Sequence, residues 1–193
     1  MSKLEMRNLT DAEIIESVKK GNQTDYAILV DRYKNKAFSL LKRMLKNDFD
    51  AEEVLQDCFL KAYNGLENFK FESSFSTWFY RIAYNTAVSR LSLKKRKIEN
   101  DMASIDDQIH LSYSDNSADV EQEELSVVLS RLIEKLPANY AAVINLFYMN
   151  QLSCEEISEI MQISVANVKV MLYRSRNSLK EIILKNNLTR ELL

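Results

Sequence analysis

The chain has 193 residues, 46% hydrophobic and 28% charged, with a net charge of −2, a balance that fits one ordinary soluble domain or two small ones. Two glycines, one proline and one histidine are too few for a multistranded sheet, a glycine-rich phosphate loop or a histidine-based catalytic triad. Cys58 and Cys154 stand apart without metal-ligand spacing, no basic segment leads into an apolar run, and no stretch of eighteen apolar residues occurs, so the expectation is a cytoplasmic all-α protein with no metal, no cofactor, no catalytic residue and no membrane insertion.

The first apolar stripe is Tyr26, Leu29, Val30, Tyr33, Ala37, Phe38, Leu41, Met44 and Leu45, at the spacing of a long amphipathic helix. Val54, Leu55, Cys58, Phe59, Ala62, Tyr63 and Leu66 predict a second helix, whose other face carries Glu52, Glu53, Gln56, Asp57 and Lys61. A third stripe runs from Phe75 through Trp78, Phe79, Ile82, Ala83 and Ala87 to Leu91, with Ser73 and Ser74 as candidate N-caps. Off this stripe lie Tyr80, Arg81, Asn85, Arg90, Lys94, Lys95, Arg96 and Lys97. That mixture of aromatic surface, amide and cations suits phosphates and stacked single-stranded bases. Phe69, Lys70 and Phe71 precede the helix in a loop, and Phe71 falls outside any stripe.

Charge is sorted along the chain. Residues 73–98 hold six basic and no acidic side chains, whereas residues 99–124 hold nine acidic and no basic ones. The acidic stretch lacks helical periodicity over most of its length and is rich in Asp, Asn, Ser and Gln, so it reads as a flexible tether. Two helical domains are expected, residues 10–98 and 122–190, joined by an acidic linker over 99–121.

In the second domain Leu125, Val128, Leu129, Leu132, Ile133 and Leu136 predict a helix stopped by Pro137, and Tyr140, Val143, Ile144 and Phe147 the next. Ser153 and Glu156 form an S-x-x-E capping box, Gln162 and Ile163 supply a brief turn, and Ser164 caps the basic stretch SVANVKVMLYRSRNSL. A short helix, a tight turn and a longer basic helix spell helix-turn-helix. At 100° per residue Val165, Val168, Leu172, Ser175, Leu179 and Ile183 share the core side, and Ala166, Lys169, Val170, Tyr173, Arg174 and Asn177 the other.

The two halves together resemble the sigma-70 family of RNA polymerase specificity subunits, in particular its small two-domain extracytoplasmic-function (ECF) group. DAEEVLQDCFLKAY is similar to the family's polymerase-docking helix, FKFESSFSTWFYRIAYNTAVSRLSLKKRK to its promoter-melting and minus-ten segment, and LSCEEISEIMQISVANVKVMLYRSRNSL to its minus-thirty-five reader. The resemblance implies that Glu53, Gln56 and Asp57 meet the clamp helices of the polymerase's largest subunit. It further implies that the loop with Phe69, Lys70, Phe71, Ser74 and Ser76, together with Tyr80, Arg81 and Asn85, binds minus-ten DNA and captures an extruded base. Extrusion costs a few kcal/mol, which an aromatic and amide pocket can offset. Lys169, Val170, Tyr173 and Arg174 would face minus-thirty-five bases, and Ser164, Asn167 and Arg176 the backbone. An anti-sigma factor is a further candidate partner.

Two departures accompany the resemblance. Val170 and Met171 stand where the family often has a Ser-Arg pair, and Phe71 stands at the usual glycine of the base-capture loop. A tether of this length spans roughly 25–30 Å as a coil, against about 85 Å between promoter elements some 25 base pairs apart, so the polymerase is expected to hold the domains apart and the free chain to bind promoters weakly. A stand-alone helix-turn-helix regulator leaves the aromatic-basic block at 69–97 without a role, and a helical scaffold explains neither recognition surface.

Overall fold

The computed structural model describes residues 9–103 and 125–185. Among them the regular structure is helical throughout. The linker expected over 99–121 lies outside the described residues from 104 onward.

Helix α1 (Asp11–Lys19) is absent from the expected elements, although Thr10-x-x-Glu13 announces it. Thr10 accepts from the Glu13 N–H at 3.3 Å, and the Glu13 carboxylate accepts from the Thr10 N–H at 2.7 Å, a reciprocal capping box. The Thr10 N–H, and the Thr10 hydroxyl that also donates to the carboxylate at 2.8 Å, hold the Glu13 carboxyl below its ordinary pKa. Ile14, Ile15 and Val18 are buried, and Asp11 accepts from both Arg32 and Tyr33 of α2 (Tyr26–Leu45).

Helix α2 buries Leu29, Ala37, Leu40, Leu41 and Met44 and ends on Lys46 in the left-handed conformation. Asn47 then caps α3 (Asp48–Gly65), accepting from the Asp50 N–H at 2.9 Å. A β-carbon on Gly65 would sit 3.0 and 3.2 Å from the Trp78 ring, so glycine lets the indole close against the end of α3. Of the two serines nominated to cap α4 (Phe75–Ala103), Ser74 does so, accepting from the Thr77 N–H at 3.1 Å. The helix continues to Ala103, five residues into the acidic segment. Phe75, Phe79 and Ala83 are buried with Phe59 of α3, the rings of Phe59 and Phe79 stacking at 4.7 Å.

The second half comprises α5 (Leu125–Glu134), α6 (Ala138–Ile144), a π turn over Asn145–Met149, α7 (Cys154–Met161) and α8 (Val165–Lys185). The π turn interrupts the helix expected to carry Phe147. The Asn150 N–H donates to the Asn145 carbonyl at 3.0 Å, five residues back, and the buried Asn150 amide donates to the Asn145 side chain at 2.7 Å. The Ser153–Glu156 capping box opens α7 as expected.

The halves are not separate beads. Helix α7 lies along α4, α6 lies on α2, and the buried apolar side chains of both form one continuous core. The seam also carries polar groups. Asn145 donates to Ser39 at 3.2 Å, and buried Arg43 donates to Ser39 and, at 3.2 Å, to Ser130. Burial lowers the Arg43 pKa, and its Nε has no hydrogen-bond partner among the described residues. These amides, hydroxyls and the incompletely satisfied guanidinium make the seam costlier to bury than a wholly apolar one.

Candidate nucleic-acid interface

Helix α8 follows a turn that the sequence sets. Gln162 adopts the left-handed conformation at φ 56°, ψ 43°, and its N–H closes on the Ser158 carbonyl. Ser164 then accepts from the Asn167 N–H at 3.2 Å. The inner side of α8 buries Val168, Leu172 and Ser175, the last donating to the Met171 carbonyl at 2.6 Å. Ser164, Asn167, Lys169, Val170, Tyr173, Arg174 and Arg176 are all exposed, Tyr173 at 61% and Val170 at 44%. No ion pair among the described residues occupies Lys169, Arg174 or Arg176. This face therefore offers exposed donors and apolar contacts, the chemistry that major-groove reading uses.

The α3–α4 loop is built differently. Phe69 is buried against Trp78 and Phe75, with centroids 5.0 and 6.3 Å away. Phe71 is 41% exposed, sits at φ 59° and meets the Phe69 ring edge-on at 4.9 Å. Ser74 and Ser76 share a hydrogen bond of 2.8 Å. Beside the loop opens a cleft of about 530 Å³ lined by Asn68, Phe69, Lys70, Trp78, Arg81 and, from α7, Glu159, with Glu72 and Ser73 completing it. Asn85, further along α4, is exposed.

Two sequence expectations change here. Tyr80, expected on the open side of α4, is 2% exposed, because the second half packs over it. Its hydroxyl donates to Asn150 at 2.8 Å, and burial raises its pKa. Nearby Tyr84 donates to Asn139 at 3.2 Å and Thr77 to Glu156 at 3.4 Å. Arg90 and Lys94, counted among the cations available to phosphates, are instead paired with α3: both reach Asp50, and Arg90 also reaches Glu53. The Lys94 hydrogen bond, followed by that of Arg90, holds the Asp50 carboxyl below its ordinary range despite burial.

The outer side of α3 exposes Glu53, Gln56 and Asp57. The structure adds Phe49 and Leu60, exposed at 76% and 62%. At three- and four-residue spacing Phe49, Glu53, Gln56, Asp57 and Leu60 share one ridge. Leu60 was legible as an apolar residue on the polar side of the α3 pattern. Asn145, Asn150 and Glu159 carried no sequence signal, since each acquires its role only when the halves meet.

The chain matches the family models for Sigma-70 region 2 over residues 29–97 and Sigma-70 region 4 over residues 126–179. It is 38% identical to the ECF RNA polymerase sigma factor SigW of Bacillus subtilis (strain 168) over 174 residues, 86% of this chain and 93% of that protein. This chain belongs to the ECF group of the sigma-70 family. The ECF RNA polymerase sigma-E factors of Haemophilus influenzae and Escherichia coli (strain K12) are 36% and 35% identical to it, each over 89% of this chain and 94% and 93% of their own. Among solved structures, the sigma factor RpoE of Bartonella quintana, in complex with the anti-sigma factor NepR, superposes with a TM-score of 0.66 at 18% identity, over 82% of this chain and 96% of that one. CnrH, in complex with the cytosolic domain of CnrY, gives 0.62 at 20% identity over 90% and 96%. These two share the all-helical fold. In family terms α2–α4 form region 2 and α5–α8 region 4, and no helix among the described residues is long and apolar enough to cross a membrane.

Proposed function

We propose that this sigma factor works in the cytoplasm by docking on core RNA polymerase through the α3 ridge, melting minus-ten DNA with the α3–α4 loop and α4, and reading minus-thirty-five DNA with α8. It supplies selection and strand opening, while the chemistry of RNA synthesis stays with the polymerase. Glu53, Gln56 and Asp57, with Phe49 and Leu60, are assigned to the clamp helices. Phe69, Lys70, Phe71, Ser74, Ser76, Tyr80, Arg81 and Asn85 are assigned to the minus-ten strand. Lys169, Val170, Tyr173 and Arg174 are assigned to minus-thirty-five bases, and Ser164, Asn167 and Arg176 to its backbone.

The observation that carries this reading is the unequal exposure of the three surfaces. The α3 ridge and the outer side of α8 are open, whereas α7 lies on α4 and buries Tyr80, with Glu159 at the cleft beside Lys70 and Arg81. A carboxylate beside those two cations resists an incoming phosphate. The packed form is thus a resting state: polymerase engages the open ridge, draws the regions apart, and so uncovers the melting surface. An anti-sigma factor, the partner class in the RpoE–NepR complex, belongs to the same proposal as a ligand of the separated regions.

Run-off transcription with core polymerase on a randomised promoter library tests the assignment. Directed initiation is the expected result. A chain that binds promoters tightly alone and leaves initiation by core polymerase unchanged is a stand-alone regulator, and the proposal fails.

A further inference from the structure

Lys19, the last residue of α1, lies outside the residues that match the region 2 model, yet its ammonium reaches the base-capture loop. Nζ donates to the Phe69 carbonyl at 2.8 Å and lies 5.0 Å from the centre of the Phe71 ring. Phe71 is the residue that most needs holding. Its φ of 59° lies in the left-handed region, which glycine enters freely and a residue with a β-carbon does not. A cation over an aromatic face is attracted by the ring quadrupole, and a charge-assisted hydrogen bond to the backbone fixes the approach. The Phe69 ring also packs edge-to-face with it, the centroids 4.9 Å apart.

We propose that Lys19 is a positioning residue for minus-ten base capture, holding Phe71 in its left-handed conformation so that the exposed ring is in place before a base arrives. The inference rests on the loop reading of the preceding section. A loop ordered in advance loses less freedom on binding, so removal of the clamp should weaken opening rather than assembly.

The test uses holoenzyme on a promoter selected from the randomised library, with permanganate reactivity for opening and gel mobility at low temperature for closed-complex binding. Lys19→Met keeps the alkyl stem and removes both the donor and the charge. It should lower opening by about 5- to 10-fold and leave closed binding and polymerase affinity unchanged, and Lys19→Arg should restore opening. In a Phe71→Gly background, where no strained side chain needs holding, Lys19→Met should cost less than about two-fold. Wild-type opening by Lys19→Met, or an equal loss in the Phe71→Gly background, overturns the clamp. Phe71→Ala separates the two levels of failure: if it impairs opening while Lys19→Met does not, only the clamp is wrong. If Phe71→Ala also opens normally, the loop reading falls and the clamp with it.

Discussion

The two candidate DNA surfaces are finished to different degrees in the free chain. Helix α8 presents Lys169, Tyr173 and Arg174 on an open face. The surface of α4 proposed for melting lies partly under α7, with Tyr80 buried and Arg90 and Lys94 already paired. The difference follows from what each must do. Duplex reading needs only a helix of the right chemistry in a groove, whereas a surface that holds unpaired bases gains nothing from being open before strands have parted. Covering it costs little, provided the cover can be displaced.

The largest expected effect comes from making that cover permanent. Glu72 and Glu159 are both exposed and line the same cleft from opposite regions. Cysteines at both positions, in a Cys154→Ser background and joined by a short reducible linker, should abolish promoter melting by holoenzyme. Reductant should restore it, and either single cysteine treated alike should stay active. A joined chain that melts promoters normally would show that closure does not matter.

Loosening the cover should have a smaller effect of opposite sign. Tyr80→Phe removes the hydroxyl that reaches Asn150 across the seam and leaves a buried acceptor unpaired, a cost of about 1–3 kcal/mol to the packed form. Energy transfer between dyes on the two regions should fall as the equilibrium shifts by roughly 5- to 150-fold. Arg174→Ala on the open face should instead cost about 1–3 kcal/mol of promoter affinity and relax selection at one upstream position, with no change in the dye signal. If Arg174→Ala opens the chain, or Tyr80→Phe changes only upstream selection, the two surfaces are not the separate devices described.

The same contrast explains what the sequence disclosed. The middle of α8 was legible from helical period alone, with Val168, Leu172 and Ser175 buried and Lys169, Tyr173 and Arg174 exposed, whereas Val165, Leu179 and Ile183, expected on the same inner side, are only half-buried and Ile182 packs on the core in place of Ile183. Tyr80 was misplaced because the amphipathic period of α4 takes account of region 2 only, and burial by α7 and Asn150 arises from a packing that no local pattern encodes. Asn145 and Asn150 were invisible for the same reason. Helix α1 is written in the sequence as plainly as α7, since Thr10 and Glu13 carry the same capping signal as Ser153 and Glu156. The pairing of Arg90 and Lys94 with Asp50 joins residues 40 and 44 positions apart, which charge counting along the chain treats as unrelated blocks.

That pairing yields the smallest effect, and it bears on why the α4 cations differ from those of α8. Asp50 has a folded pKa below its unfolded value, chiefly through Lys94. Its ion pairs therefore stabilise the fold fully above the ordinary aspartate range, and that stabilisation is lost as pH falls through the lower folded pKa. Because Lys94 and Arg90 remain partly exposed, the loss is modest, about 0.2–1 kcal/mol. Asp50→Asn should lower stability by that amount above about pH 5 and converge on the wild type in acid, followed by denaturant melts across the range. It should also free Lys94 for DNA, Arg90 staying paired with Glu53, and steepen the salt dependence of promoter binding by about one counterion. A steeper salt slope without the acid convergence would mean that Asp50 restrains Lys94 yet does little for the fold, and convergence without the steeper slope would confine Lys94 to structure, leaving phosphate contact on α4 to Arg81 and the Lys95–Lys97 tail.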